Sequence, residues 1–225
     1  MAAFPTTRWS LIHAKGSSPV QTGDTWGELV RAYYPAIQGY FRYSPLARDA
    51  DDLAQEFMLR SISEDWWARA DPGAGSFRTF LRMLLKRFLA TQQYEGYRRF
   101  ECAGEWPDER EESQSPERHF DLQFALCLTR TALADLQADY ESDGNGELFA
   151  ALQPWLVESP ERGELVALGA RLRVAPNTLA VQLKRLRSRF QKAVRVALRE
   201  LSLDAEHAAA DLDALRLSLA TAGAH

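Results

Sequence analysis

Between residues 176 and 201, apolar side chains recur in steps of three and four: Leu179, Leu183, Leu186, Phe190, Ala193, Ala197 and Leu201. Only the α-helical period places such a series on one stripe, so the stretch predicts a long amphipathic helix with a single buried seam. Pro176 suits its first turn, where the missing N–H costs nothing. The stretch is also strongly basic. Residues 171–199 carry nine Lys/Arg and no Asp or Glu, although the 225-residue chain has formal net charge −4. A positive helix on an acidic chain marks a surface that meets a polyanion at one place.

The rest of the chain follows the same period. Leu, Ala, Arg and Glu dominate and β-branched residues are sparse, which predicts an all-α fold. Helical periodicity begins near Thr25 with Trp26, Leu29, Val30, Tyr33 and Tyr34, and Pro45 closes a second short helix. A third starts near Asp49 and runs through Leu53, Phe57 and Ile62. Asp71-Pro-Gly-Ala-Gly75 then breaks the chain, and Ser76 suits the N-cap of a long helix holding Phe77, Phe80, Leu81, Leu84, Leu85 and Phe88. Residues 101–121 hold eight acids against Arg110 and Arg118, with Pro107 and Pro116, and read as a solvated linker. Helical pattern returns over 120–136, 148–157, 161–172 and 176–201, and the Ala/Leu-rich end reads as a further helix. The expected architecture is two small helical domains, over 24–100 and 120–201, joined by an acidic linker over 101–119. A C-terminal extension spans 202–225.

Composition narrows the function classes. With 46% hydrophobic and 11% aromatic residues, the chain has enough apolar material for real cores. No apolar run is long enough to cross a bilayer, and Met1-Ala-Ala-Phe-Pro5 lacks the pattern of a secretion signal. Cys102 and Cys127 have neither metal-ligand nor disulfide-framework spacing, and His13, His119, His207 and His225 are scattered. Asp139, Glu141, Asp143 and Gly144 imitate the start of a calcium loop, but Ala150 stands where a bidentate Glu is required. No phosphate-cradling glycine loop or nucleophile elbow occurs. The expectation is a cytoplasmic, non-enzymatic chain with no cofactor, no metal, no small-molecule substrate and no membrane partner.

Three surfaces carry the candidate chemistry. Leu172-Arg-Val-Ala175 is a turn of the length that a helix–turn–helix needs before the basic helix. In that motif the second helix enters the major groove and its N-terminal residues reach base edges. Asn177, Thr178, Val181, Lys184 and Arg185 hold those positions, while Arg187, Arg189 and the later bases suit phosphates. On the third helix, Asp49, Asp52 and Glu56 stack at i, i+3 and i+7, with Asp51 and Gln55 beside them. Like charges so spaced destabilise a helix. The face is either a helix start compensated by the dipole or a docking face for a basic partner. On the long helix after Ser76, Arg78, Arg82 and Lys86 form a basic spine, continued by Arg87, Tyr94, Tyr97, Arg98 and Arg99. Cations interleaved with aromatics suit single-stranded or melted nucleic acid.

The ordered combination resembles the two-domain, extracytoplasmic-function type of bacterial RNA polymerase sigma factor, in the sigma-70 family. Asp49-Ala-Asp-Asp-Leu-Ala-Gln-Glu-Phe57 is similar to the family's Asp-Ala-Glu-Asp-Leu-x-Gln-Glu motif, with Asp51 in place of Glu. Phe77-Arg-Thr-Phe-Leu81 is similar to its Phe-Arg-x-Trp-Leu, and Leu172-Arg-Val-Ala-Pro-Asn-Thr-Leu179 to its Leu-Gly-Val-Ser-x-Gly-Ala-Val turn and recognition helix. The resemblance covers residues 25–200. It implies a sigma-2 helical bundle followed by a sigma-4 helix–turn–helix, with core RNA polymerase and promoter DNA as partners. Asp49, Asp51, Asp52, Gln55 and Glu56 would then meet the β′ clamp helices, and the second domain the β flap. Arg78 to Arg99 would recognise and open the minus-ten element, and the helix–turn–helix would read the minus-thirty-five element. An anti-sigma factor or other regulator is a further partner of such proteins.

The chain departs from the pattern at Lys86-Arg87, where relatives carry Arg-Asn, and at Ala175, where they carry a Ser N-cap. Ala180 and Gln182 stand where basic residues are common. The alternative is a stand-alone helix–turn–helix regulator whose first domain senses a ligand or dimerises. A dimeric repressor, however, needs neither the acidic face nor the basic spine.

Overall fold

The structure is a computed structural model that describes residues 19–66, 75–99, 115–156, 158–202 and 204–222, with side chains described within 24–66, 75–94, 115–156, 158–202 and 204–218. Among these residues the regular structure is helical: α1 (Pro19–Ala32), α2 (Tyr34–Arg42), α3 (Ala50–Ser63), α4 (Phe77–Arg99), α5 (Pro116–Ser142), α6 (Gly146–Leu152), α7 (Glu164–Leu172), α8 (Pro176–Glu200) and α9 (Ala205–Ala222). Short 3-10 turns at Ala47–Asp49 and Gln153–Leu156 precede α3 and follow α6. The all-α expectation holds.

The chain divides into two compact units, Met1–Cys127 with Leu198–His225, and Leu128–Ala197. This partition corrects the expected boundaries. Ser115 caps α5, its Oγ accepting the Arg118 N–H at 3.2 Å, so residues 116–119 are helix rather than linker. The rest of the expected linker, 101–114, lies outside the described residues. Residues 120–127 and 198–201 belong to the first unit and not, as expected, to the second.

The first unit is built on aromatic residues. Trp26, Tyr40, Phe41, Phe57, Phe77, Phe80, Phe120 and Phe124 are essentially inaccessible. Trp26 meets Phe77 and Phe80 edge-on, each at 5.9 Å, and its indole N–H donates to the buried Ser61 Oγ at 3.3 Å. Tyr33 stacks on Phe124 at 4.3 Å, while Phe57 and Phe88 meet edge-on at 5.5 Å. Such pairs add about 0.5–1.5 kcal/mol each beyond simple burial. Ser76 caps α4 as expected, accepting the Thr79 N–H at 3.3 Å. One expected core residue is misplaced: Ile62 is 39% exposed, because the buried seam of α3 runs through Leu53, Ala54, Phe57 and Ser61.

In the second unit, Leu136, Tyr140, Phe149, Leu152, Leu168, Leu179, Leu183 and Leu186 form one buried cluster. Three of these come from the α8 stripe, as the periodicity predicted. Asn145 turns the chain from α5 into α6, where Gly144 takes φ +71°.

Candidate nucleic-acid interface

The junction of α7 and α8 depends on close backbone approach. Arg173 ends α7 in the left-handed conformation, φ 56°, and the Val174 N–H donates to Gly169 O at 3.0 Å. A Cβ on Gly169 would stand 2.6 Å from Val174 O, so only glycine admits this turn. Pro176 then opens α8, and the N–H groups of Thr178 and Leu179 donate to Ala175 O at 2.9 and 3.1 Å. The seam residues Leu179, Leu183 and Leu186 are buried, which turns Asn177, Thr178, Val181, Lys184 and Arg185 to the exposed side. Among the described residues, Lys184 and Arg185 make no side-chain hydrogen bond or ion pair within the chain. The helix therefore presents two cations and two short polar side chains along one face, a pattern suited to a DNA groove.

Two of the predicted phosphate contacts are engaged elsewhere. Arg187 is corrected outright: its Nε and Nη2 donate to Trp155 O at 3.0 and 2.8 Å, and Nη2 also to Glu158 O at 2.6 Å. It closes two carbonyls, one within the Gln153–Leu156 turn and one just beyond it, a structural task. Arg189 lies over the Tyr140 ring at 4.5 Å and reaches Asp139 at 3.4 Å, yet its side chain is 42% exposed. Arg189 therefore keeps a face toward solvent.

On α4 the basic spine is split. Arg78, expected to face DNA, is only 5% exposed. Its Nε and Nη2 meet Oδ1 and Oδ2 of Asp121 at 3.0 and 2.6 Å, and its Nη1 meets Oδ1 of Asp211 at 2.8 Å. Burial works against this charge, but the hydrogen bond and charge of Asp121, followed by Asp211, outweigh it and raise the Arg78 pKa. Arg82, 38% exposed, touches Asp121 at 3.5 Å. Lys86, Arg87 and Tyr94 are exposed, Tyr94 at 66%. Tyr97, Arg98 and Arg99 lie on the last turns of α4, their side chains outside the described residues. The accessible cationic surface of α4 thus begins near Arg82, later than the sequence implied. Position 78 follows the buried Phe77 directly, and only the partners Asp121 and Asp211, distant in sequence, make burial of an arginine there affordable.

The acidic face of α3 is also divided. Asp49 and Asp52 are exposed and, among the described residues, carry no side-chain partner. Asp51 leans the other way, accepting from Gln38 Nε2 at 2.8 Å and pairing with Arg42 at 3.4 Å. Glu56 pairs with Arg60 at 2.8 Å and accepts from Gln92 Nε2 at 3.4 Å, while Gln55 is exposed. Leu59, 70% exposed, and Ile62 extend this face with apolar surface. The period itself signalled Leu59, since a residue two places after the buried Phe57 points away from the seam.

Among the described residues, no group of His, Cys, Asp or Glu is placed to hold a metal ion, and no helix is long and apolar enough to cross a membrane. Compared with known proteins, the chain matches no family model, no curated protein and no solved structure.

Proposed function

We propose that the chain is a sigma factor of the extracytoplasmic-function type, which binds core RNA polymerase and directs transcription to particular promoters. The observation that carries the reading is the α7–α8 junction. A glycine-dependent tight turn delivers a helix whose exposed face holds Asn177, Thr178, Val181, Lys184 and Arg185. In this reading that face reads the duplex minus-thirty-five element, and the exposed Lys86, Arg87 and Tyr94 of α4 meet the melted minus-ten strand. Asp49, Asp52, Gln55 and Glu56 dock on the β′ clamp helices. Because the carboxylates are built in, docking needs no phosphorylation. The protein acts where polymerase does, in the cytoplasm.

The test is transcription from a defined promoter by core polymerase with this protein as the sole added factor. Promoter-dependent transcripts are expected. Tight binding to duplex DNA without any association with core polymerase would instead identify a stand-alone helix–turn–helix regulator.

A further inference from the structure

The C-terminal segment meets the first unit beside the start of α4. Leu198, Leu201 and Ser202 are buried; the Phe77 N–H donates to Leu201 O at 2.9 Å, and Ser76 and Ser202 form an antiparallel bridge. Asp204 then caps α9, accepting the His207 backbone N–H at 2.9 Å. Of the described α9 side chains, only Asp211 and Leu215 are buried. Asp211 gives Oδ1 to Arg78, but its Oδ2 is buried with no hydrogen-bond partner, and so is Nη1 of Arg199. Buried polar atoms left unpaired weaken an attachment. Among its described side chains, then, α9 buries two, one of them incompletely satisfied, so its release exposes little apolar surface.

Its charge says what it covers. Residues 204–222 hold Asp204, Glu206, Asp211 and Asp213 against Arg216 alone. This acidic helix places a carboxylate on an arginine at the start of the basic helix α4. Guanidinium binds carboxylate and phosphate with the same planar geometry, so Asp211 occupies a donor that a nucleic-acid phosphate would also satisfy. With both carboxylates present, Arg78, Arg82, Asp121 and Asp211 sum to zero; loss of Asp211 leaves one positive charge.

Resting on the nucleic-acid reading of α4, we propose that residues 204–222 form a releasable clasp that competes with single-stranded nucleic acid for the N-terminal end of α4. Competition is reciprocal, so nucleic acid displaces α9 and loss of α9 strengthens nucleic-acid binding.

Two substitutions in the full chain test this. Asp211→Ala removes the anchor. Gly75→Ala leaves every charge in place, but its Cβ would stand 2.5 Å from His207 Cδ2 at a backbone with φ +82°. Hydrogen exchange over α9 reports release, and fluorescence anisotropy with a labelled single-stranded DNA of mixed sequence reports binding. Both variants are expected to lose protection in α9 alone and to bind about three- to tenfold tighter, the effect of roughly one added phosphate contact. If α9 is released and affinity stays at the wild-type level, while Lys86→Ala/Arg87→Ala weakens it, the clasp is overturned and the reading of α4 stands. Loss of protection throughout the first unit, or undiminished protection of α9 in both variants, also overturns the clasp. Absence of single-strand binding in every protein overturns both.

Discussion

Arg78 grips Asp121 through two parallel contacts, Nε to Oδ1 at 3.0 Å and Nη2 to Oδ2 at 2.6 Å, with both side chains nearly excluded from solvent. The fork ties the start of α4 to the start of α5. Removing one partner of such a pair strands the other charge in a dry site. Asp121→Ala is expected to destabilise the first unit by about 3–5 kcal/mol, read as a lower urea midpoint.

Gly169→Ala is expected to cost about 1–3 kcal/mol, because its Cβ meets a backbone carbonyl that cannot turn aside. The readouts are the unfolding of the second unit and its binding to duplex promoter DNA. Both fall together if the turn sets the angle of α8.

Lys184→Ala and Arg185→Ala are expected to weaken duplex binding and each to lower the slope of log affinity against log salt by about one. Arg187→Ala is expected to behave differently. It leaves Trp155 O and Glu158 O without their donor, so stability drops by about 1–2 kcal/mol while the salt slope is unchanged. Salt titration of the three variants, beside thermal melts, separates the two roles.

Asp49→Ala/Asp52→Ala is expected to reduce core polymerase binding by more than tenfold, whereas Asp51→Ala, which removes contacts to Gln38 and Arg42, has an effect under threefold. Co-sedimentation with core polymerase checks the difference. Equal effects would show that the acidic motif acts through its total charge and not through one face.

Acid is expected to loosen the start of α9. The backbone N–H and ring of His207 hold the Asp204 pKa below its ordinary value. A depressed carboxylate stabilises the folded form above its unfolded pKa, and the effect is lost as pH falls through the lower, folded value. Amide protection at His207 should therefore decline as pH falls below about 4. Asp204→Asn should flatten this profile.

Much of the helical layout was legible because helical periodicity is local. The stripe of Leu179, Leu183 and Leu186 foretold which side of α8 is buried, and with it the exposure of Lys184 and Arg185. The cap at Ser76 was equally readable, since the acceptor lies three residues from its donor. Ile62 was assigned to the core because steps of four and five from Leu53 pass through it. Packing chose Ser61 instead, where the Trp26 indole supplies a partner.

What the chain determined by itself was its helices, their amphipathic faces and the alternation of acidic and basic segments, all set by residues a few places apart. Only tertiary structure decided which charges stay available. Arg78 and Arg82 look alike on a helical wheel, yet one is buried because Asp121 and Asp211 come to it from 43 and 133 residues away. Arg187 and Lys184 share a basic helix, yet Arg187 is spent on the carbonyls of Trp155 and Glu158. The free energy of a charge depends on solvent and on partners brought by the fold, and sequence spacing encodes neither.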